Sequence, residues 1–405
     1  MAKRPQENIL KNIETLDAIA APLLRWFHSE KRALPWREEP TPYRVWVSEI
    51  MLQQTRVEAV KPYFERFVAA LPDVRALARA DENTLMKLWE GLGYYSRARH
   101  LQSAARLICS DHGGKIPARF DDLLTLPGIG RYTAGAVASI AFGERRPAVD
   151  GNVLRVIMRL LACPADILKE STKRAVEEAL IARLPENAGD FNQALMELGA
   201  LICLPRGAAR CPSCPLERLC LAKEANLQAE LPQKTPPKRR RTEKLTIFLL
   251  AKNGKIALEK RPAQGLLAGL WGFPAMEGHL KKKEAEEALQ AIGLIPAKLH
   301  ALPTAQHIFS HITWQMVGWR VELAEPLSEG GTSVPTSAPA SSESTTPNAQ
   351  PKSLLLQEAA APYNIQAKTP HLLWATAQEI VDTYSVPAAY RSYFPYIRSA
   401  DGESS

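Results

Sequence analysis

The chain has 405 residues, enough for two domains that each bury a core of their own. Its 51 Lys and Arg against 43 Asp and Glu give a net charge of +8, compatible with a polyanionic partner without requiring one. No apolar run reaches membrane-spanning length and Met1–Leu10 is polar, so the expectation is a soluble, cytoplasmic protein with no membrane partner.

Residues 8–30 place Ile9, Leu10, Ile13, Leu16, Ile19, Ala20, Leu23 and Leu24 at helical spacing, and Leu34-Pro35-Trp36-Arg37 breaks the pattern. Pro42 opens a second helix running to Thr55. Glu49 shares a face there with Val45 and Leu52, so it should be at least partly buried. Desolvation would raise its pKa and let it hold a proton near neutrality, as a general acid must. The plainer alternative is an exposed Glu at the edge of the stripe. Gly91-Leu92-Gly93-Tyr94-Tyr95-Ser96-Arg97 follows, whose tyrosines read equally as core aromatics.

Leu126-Pro127-Gly128-Ile129-Gly130 is a glycine turn between two helical patterns. Gly128 and Gly130 permit backbone conformations that side chains resist and leave amide N–H groups able to bind a phosphate oxygen. Asp150 follows in Val149-Asp150-Gly151-Asn152. A phosphate grip followed by a carboxylate points to chemistry on a nucleic-acid backbone or sugar; a plain helical hairpin with Asp150 as an N-cap is the alternative.

Helical patterns at 152–163, 171–184 and 191–199 lead into Cys203, Cys211, Cys214 and Cys220. A cytosolic cluster of this kind argues for metal ligation rather than disulfides, and its spacing suits an iron–sulfur cluster or tetrahedral zinc alike. Cys109 and Cys163 sit in apolar helical contexts and read as core. Arg206, Arg210 and Arg218 lie in or beside the cysteine loop, where they could meet phosphates or simply face solvent.

Residues 232–244 are Pro-rich and basic and read as a linker. Beyond them come a strand at Leu245–Leu250, a hairpin signal at Asn253-Gly254, a Gly265–Pro274 loop, a helix at 282–292 and a strand after His307-Ile308-Phe309-Ser310-His311. Residues 325–352 are rich in Ser, Thr, Pro, Ala and Gly and are expected to be disordered; the pattern resumes near His371.

Ser48-Glu49-Ile50-Met51-Leu52-Gln53-Gln54-Thr55, Gly91–Arg97, the Leu-Pro-Gly-Ile-Gly turn and Val-Asp-Gly-Asn together resemble the MutY family of adenine DNA glycosylases in order and spacing, over nearly the whole chain. The resemblance implies a multidomain protein. An all-α helix-hairpin-helix glycosylase domain would occupy 1–231, with its hairpin at about 121–140 and an iron–sulfur loop at 203–220. An α/β Nudix-like domain would occupy 245–397. Gly265–Pro274 resembles the loop before a Nudix box, but Lys281–Ala288 lacks the full set of metal-holding carboxylates, which implies a binding module without hydrolase chemistry.

Carried over residue by residue, Glu49 would protonate an extruded adenine, and Asp150 would stabilise the sugar cation or form a transient adduct. Asn152 would orient a water or Glu49, and Tyr132 would pack at the sugar. Tyr132 stands where related endonuclease III-type enzymes carry a catalytic lysine, so no Schiff base forms and the strand is left uncut. Arg32, Trp36, Leu52 and Gln193 match adenine-contacting positions. Gln54 and Tyr94 match residues that fill the opened stack, with Arg97, Gly128 and Gly130 also on the DNA side. Phe309, Ser310 and His311 match the loop that reads 8-oxoguanine. The four clustered cysteines would hold one 4Fe–4S cluster, despite one more residue between Cys203 and Cys211 than the family's usual spacing. The partner implied is duplex DNA with an adenine opposite 8-oxoguanine or guanine, bound by a monomer associated with a bacterial nucleoid. Three other readings are a pyrimidine glycosylase of the same fold, a non-catalytic iron–sulfur DNA-binding or redox-sensing protein, and a Nudix hydrolase tethered to DNA.

Overall fold

Two compact units divide between Pro237 and Lys238 in the computed structural model, which describes residues 11–205, 209–236, 239–324 and 372–398. The disordered insertion expected at 325–352, Arg206, His371 and the first residues of the 8–30 helix lie outside the described residues.

The first unit is helical. Its helices are α1 (Ala20–Glu30), α2 (Pro35–Glu38), α3 (Pro42–Leu52), α4 (Val57–Ala70), α5 (Val74–Arg79), α6 (Glu82–Trp89), α7 (Ser96–Asp111), α8 (Phe120–Leu123), α9 (Arg131–Phe142), α10 (Gly151–Leu160), α11 (Glu170–Ile181), α12 (Ala188–Leu201) and α13 (Leu221–Glu224). The long first helix is interrupted: Ile13–Ala18 forms a 3-10 turn and α1 begins at Ala20. Pro22 explains the restart, since it falls in the first turn of α1, where a missing N–H costs nothing. Thr41 caps α3 by accepting from the Arg44 N–H at 3.3 Å, with Pro42 at the first helical position.

Helix α10 is the centre of this unit. Val153, Leu154, Val156, Ile157, Met158 and Leu160 are all buried, sharing one core with Leu23 and Phe27 of α1 and with Phe191, Leu195 and Leu198 of α12. The loop entering α10 is fixed by close approach. A Cβ on Gly135 of α9 would lie 2.1 Å from the Pro147 carbonyl oxygen, so only glycine lets the loop pass. The buried Asn192 of α12 then ties the loop down. It accepts from the Ala148 N–H at 3.1 Å and donates to the Arg146 carbonyl and the Ser139 hydroxyl, both at 2.8 Å. Asp150 therefore leaves a rigid loop rather than a free one.

The second unit is a seven-stranded mixed sheet: β1 (Arg241–Lys252), β2 (Lys255–Lys260), β3 (Trp271–Gly272), β4 (Ala275–Glu277), β5 (Pro296–Ile308), β6 (Ile312–Leu323) and β7 (Leu372–Ala375). The order is β3-β2-β1-β6-β5, with β4 beside β1, β7 beside β2, and β1 parallel to β6. Leu245–Leu250 is buried throughout because each face of β1 has its own core. Leu245, Ile247 and Leu249 pack with Trp314 and Tyr390, while Phe248 and Leu250 pack with Ala285 and Leu289 of α14 (Lys282–Ala291). Asn253 and Gly254 both adopt positive φ, 50° and 70°, as a tight hairpin demands.

The stretch 232–244 is only partly a free tether. The Ile167 N–H donates to the Gln233 carbonyl at 3.2 Å and the Thr235 N–H donates to Asp166 at 3.1 Å, holding this end on the helical unit. At the other end β1 begins four positions before Leu245, because β6 offers a parallel partner as far as Ile312. No helix among the described residues is long and apolar enough to cross a membrane.

Candidate active site

A cavity of about 400 Å³ in the helical unit is lined by Arg32, Trp36, Glu49, Leu52, Tyr132, Asp150, Asn152 and Gln193, residues the sequence scatters over 160 positions. Six elements converge to make it: the α1–α2 turn, α2, α3, the start of α9, the start of α10 and the middle of α12.

Glu49 is 6% exposed. Burial pushes its carboxyl up to about 7, and the Asp150 charge adds to the shift, against lowering by the Tyr132 hydrogen bond and the Arg37 charge. The Tyr132 hydroxyl donates to Glu49 Oε2 at 2.5 Å and lies 3.3 Å from Met196 Sδ. Burial and the two carboxylates raise the Tyr132 phenol well above its ordinary value, so it keeps its proton and acts as a donor.

Asp150 is the N-cap of α10, accepting from the Val153 N–H at 2.7 Å and from the Asn152 amide at 2.8 Å. Burial raises its pKa, offset by these hydrogen bonds and by the Arg155 charge. The helix N-terminus also favours its anionic form. The N-cap reading of Asp150 holds, and the residue lines the cavity as well. Asn152 serves Asp150, not Glu49 as one alternative had it. Its carbonyl accepts from Arg155 at 2.9 Å, and Arg155 in turn donates to the carbonyls of Gly199 at 2.7 Å and Cys203 at 2.8 Å.

The floor of the cavity holds an ion cluster that sequence reasoning missed. Buried Glu197 accepts from Arg32 Nε at 2.7 Å, Arg32 Nη2 at 2.9 Å and Arg37 Nη2 at 3.0 Å. Burial opposes its charge, but these hydrogen bonds overcome that and hold its carboxyl at about 2. Arg37 Nε also donates to the Gln193 side-chain carbonyl at 3.0 Å, which leaves the Gln193 amide N–H groups for another acceptor. Two guanidinium nitrogens of Arg32 and its backbone N–H are thus engaged by Glu197. The signal for Glu197 was its place one helical turn after Gln193, on the same face.

Arg97 is the clearest departure from expectation. It is buried, and its guanidinium donates to the carbonyls of Ile50, Met51 and Gln53 at 2.7–2.9 Å and of Leu92 and Gly93 at 3.2 and 3.1 Å. It closes the C-terminal end of α3 instead of reaching DNA. Burial lowers its pKa to about 10. Gln54 and Tyr94 stand beside it with positive φ, 59° and 47°, and Tyr94 is 45% exposed. Gly128 has φ +75° and a Cβ there would strike His100. Gly130 has an ordinary extended backbone, φ −93° and ψ 176°, so its conformation requires no glycine; nothing lies within 4 Å of a Cβ built on it.

Cys203, Cys211, Cys214 and Cys220 are free thiols, three of them packed against the α10 core. Burial, with added repulsion from the other three thiols, pushes Cys214 up to about 12, and Arg159 Nη1 donates to Cys203 Sγ at 3.3 Å. Half-buried thiols that repel as anions beside a guanidinium are a soft donor set, whose repulsion a metal cation would reverse. Among the described residues no three His, Cys, Asp or Glu side chains stand together closely enough to hold a metal ion.

In the second unit Phe309, Ser310 and His311 form the turn between β5 and β6. Ser310 and His311 are exposed at the tip, while Phe309 is half-buried, its ring edge-on to Trp314 at 4.9 Å. Phe309 is therefore partly committed to packing and is not a wholly free wedge.

The family model of the HhH-GPD superfamily of base excision DNA repair proteins matches residues 47–182, and a NUDIX domain model matches 246–395. An adenine DNA glycosylase of Homo sapiens is 35% identical over 413 residues, covering 84% of this chain and 74% of its own. One from Buchnera aphidicola subsp. Schizaphis graminum is 32% identical over 308 residues, covering 75% of this chain and 87% of its own. The solved structure of a thermostable thymine-DNA glycosylase is 28% identical, covering 52% of this chain and 98% of its own at a TM-score of 0.47. The fold is a helix-hairpin-helix domain followed by a Nudix-like domain.

Proposed function

Because the chain belongs to the adenine DNA glycosylase family, and so is a DNA glycosylase that hydrolyses N-glycosyl bonds, we propose that it removes adenine paired with 8-oxoguanine, and secondarily with guanine, from duplex DNA. The observation that carries this reading is a carboxyl raised to about 7 in the same cavity as a second carboxylate. Such a pair divides the labour of glycosidic cleavage.

Adenine cannot be reached inside the stack, so the nucleotide flips into the cavity at a cost of a few kcal/mol. Protonated Glu49 passes its proton to adenine N7, which turns the purine into a neutral leaving group. The sugar gains positive charge as the bond breaks. Asp150, held by the Asn152 amide and the start of α10, meets that charge electrostatically or as a transient covalent partner. Tyr132 supplies a hydroxyl to Glu49 and no amine to the sugar, which supports base removal without strand cleavage. Trp36 and Leu52 offer apolar walls, and Gln193 an amide for the base edge.

The four cysteines are a soft donor set for one 4Fe–4S cluster, which would require them to close together from where they stand here and which, when bound, would shape the loop as a DNA-contacting surface. The hydrogen-bond path from the Cys203 carbonyl through the Arg155 and Asn152 side chains to the Asp150 carboxylate ties that loop to the site. Gly128, Gly130, Gln54 and Tyr94 would face the DNA, and Phe309, Ser310 and His311 the 8-oxoguanine. The reading is of a monomer acting in the cytoplasm on nucleoid DNA.

The test is a labelled duplex with one adenine opposite 8-oxoguanine, analysed with and without hot alkali, beside adenine opposite thymine. Breakage at the adenine only after alkali, and only in the mispaired duplex, is expected. Breakage without alkali would reveal a lyase. Tight binding with no breakage would leave a DNA-binding protein without catalysis.

A further inference from the structure

We propose that Glu243 and Trp314 are positioning residues for the β5–β6 tip, setting the preference for 8-oxoguanine over guanine through Phe309. The inference rests on reading Phe309-Ser310-His311 as the tip that meets this base. Three neighbouring strands place one residue each in a row across the sheet. Glu243 on β1 is in register with Trp314 on β6, and Trp314 with His307 on β5. Residues opposite one another in this way share a face of the sheet.

The contacts along the row form a brace. Trp314, fully buried, donates its indole N–H to Glu243 Oε2 at 2.9 Å. The Phe309 ring stands edge-on to Trp314 at 4.9 Å and to His307 at 4.6 Å. Its own N–H donates to the Ile312 carbonyl at 2.8 Å, which closes the turn. Two residues before Glu243, and so on the same face of β1, Arg241 pairs with the Glu243 carboxylate at 2.5 Å. The Arg241 backbone N–H donates to the His311 carbonyl at 3.0 Å. Both ends of the Phe309–His311 tip are therefore tied to β1, one through Trp314 and the other through Arg241. The Arg261 guanidinium lies 5.3 Å from the Trp314 ring centre and adds a second hold on the indole.

This brace matters because 8-oxoguanine and guanine differ at one edge of the base. A hydrogen bond to that edge discriminates only if its donor or acceptor is fixed to within a fraction of an ångström. Neither Glu243 nor Trp314 occurs among the residues that would touch the base. Their part is to hold Phe309, and with it Ser310, in one place.

The full chain carrying Glu243→Ala, Glu243→Gln, Trp314→Phe, Phe309→Ala or Glu243→Ala with Phe309→Ala would be compared with the parent. The readout is the ratio of single-turnover adenine release opposite 8-oxoguanine to that opposite guanine. Glu243→Ala and Trp314→Phe are expected to lower the ratio about fivefold, the value of one hydrogen bond, while release opposite guanine stays the same. Glu243→Gln, which keeps an acceptor for the indole, should restore most of the ratio. On the Phe309→Ala background Glu243→Ala should add nothing, since it acts through that ring. An unchanged ratio in the single variants overturns the inference, and so does a further drop in the double variant or an equal fall opposite guanine. Should Glu243→Ala fail to fold, Trp314→Phe decides alone. A parent ratio of one sinks the 8-oxoguanine reading itself, a result distinct from the failure of the brace.

Discussion

Glu49 is chemically poised because burial outweighs the hydrogen bond from Tyr132. Only the protonated form can donate, so single-turnover adenine release should fall as pH rises through about 7, approaching tenfold per unit above it. Tyr132→Phe removes a lowering influence, so the descending limb should move to higher pH; a limb that stays in place would mean another group sets it. The same shift affects stability, with a definite sign. The folded state binds this proton more tightly than the unfolded chain, so the charged carboxylate destabilises the fold from above 4.5 and fully above about 7. Glu49→Gln should abolish base release yet stabilise the protein on the order of 2–3 kcal/mol at pH 8, with no gain at pH 4, as thermal melts would show.

At the level of elements, the site depends on a close helix–loop contact and a capped helix end. Gly135→Ala would force the Pro147 carbonyl away from α9 and displace the loop that delivers Asp150. A loss of about 3 kcal/mol is expected in denaturant melts, with reduced release even where the protein stays folded. Arg97→Ala should strip the end of α3 of its carbonyl partners and also cost about 3 kcal/mol. Its buried guanidinium meets backbone oxygens, so the salt dependence of DNA binding should be unchanged; a slope lower by about one would assign Arg97 to a phosphate instead.

The chain folds as two units, each with a core of its own, and on the proposed function the second would read the base opposite the adenine. A chain ended after Pro237 is expected to release adenine opposite guanine while losing its preference for 8-oxoguanine, measured as the same rate ratio. Equal preference in the shortened chain would place base reading in the helical unit. Iron analysis of the purified protein should return about four atoms per chain and none after replacement of Cys214.

The sequence by itself determined a good deal: the helical spacing of the first unit, the turn at Gly128, the Asn253-Gly254 turn, the burial of Glu49 on its stripe and the N-cap place of Asp150. These are local matters, written as periodicity, as breakers and as one polar residue on an apolar stripe. Tyr132, Gln193 and Arg32 were legible only through likeness to a family. What burial does to Glu49, the brace of Arg155 and Asn152 behind Asp150, and the Arg32–Glu197–Arg37 cluster were decided by tertiary structure alone. The reason is physical: a pKa depends on which distant segments exclude water around a group, and partners 165 positions apart leave no mark on local spacing. Arg97 shows the same limit from the other side, since likeness to the family put it on the DNA side while the fold buries it against the carbonyls of α3.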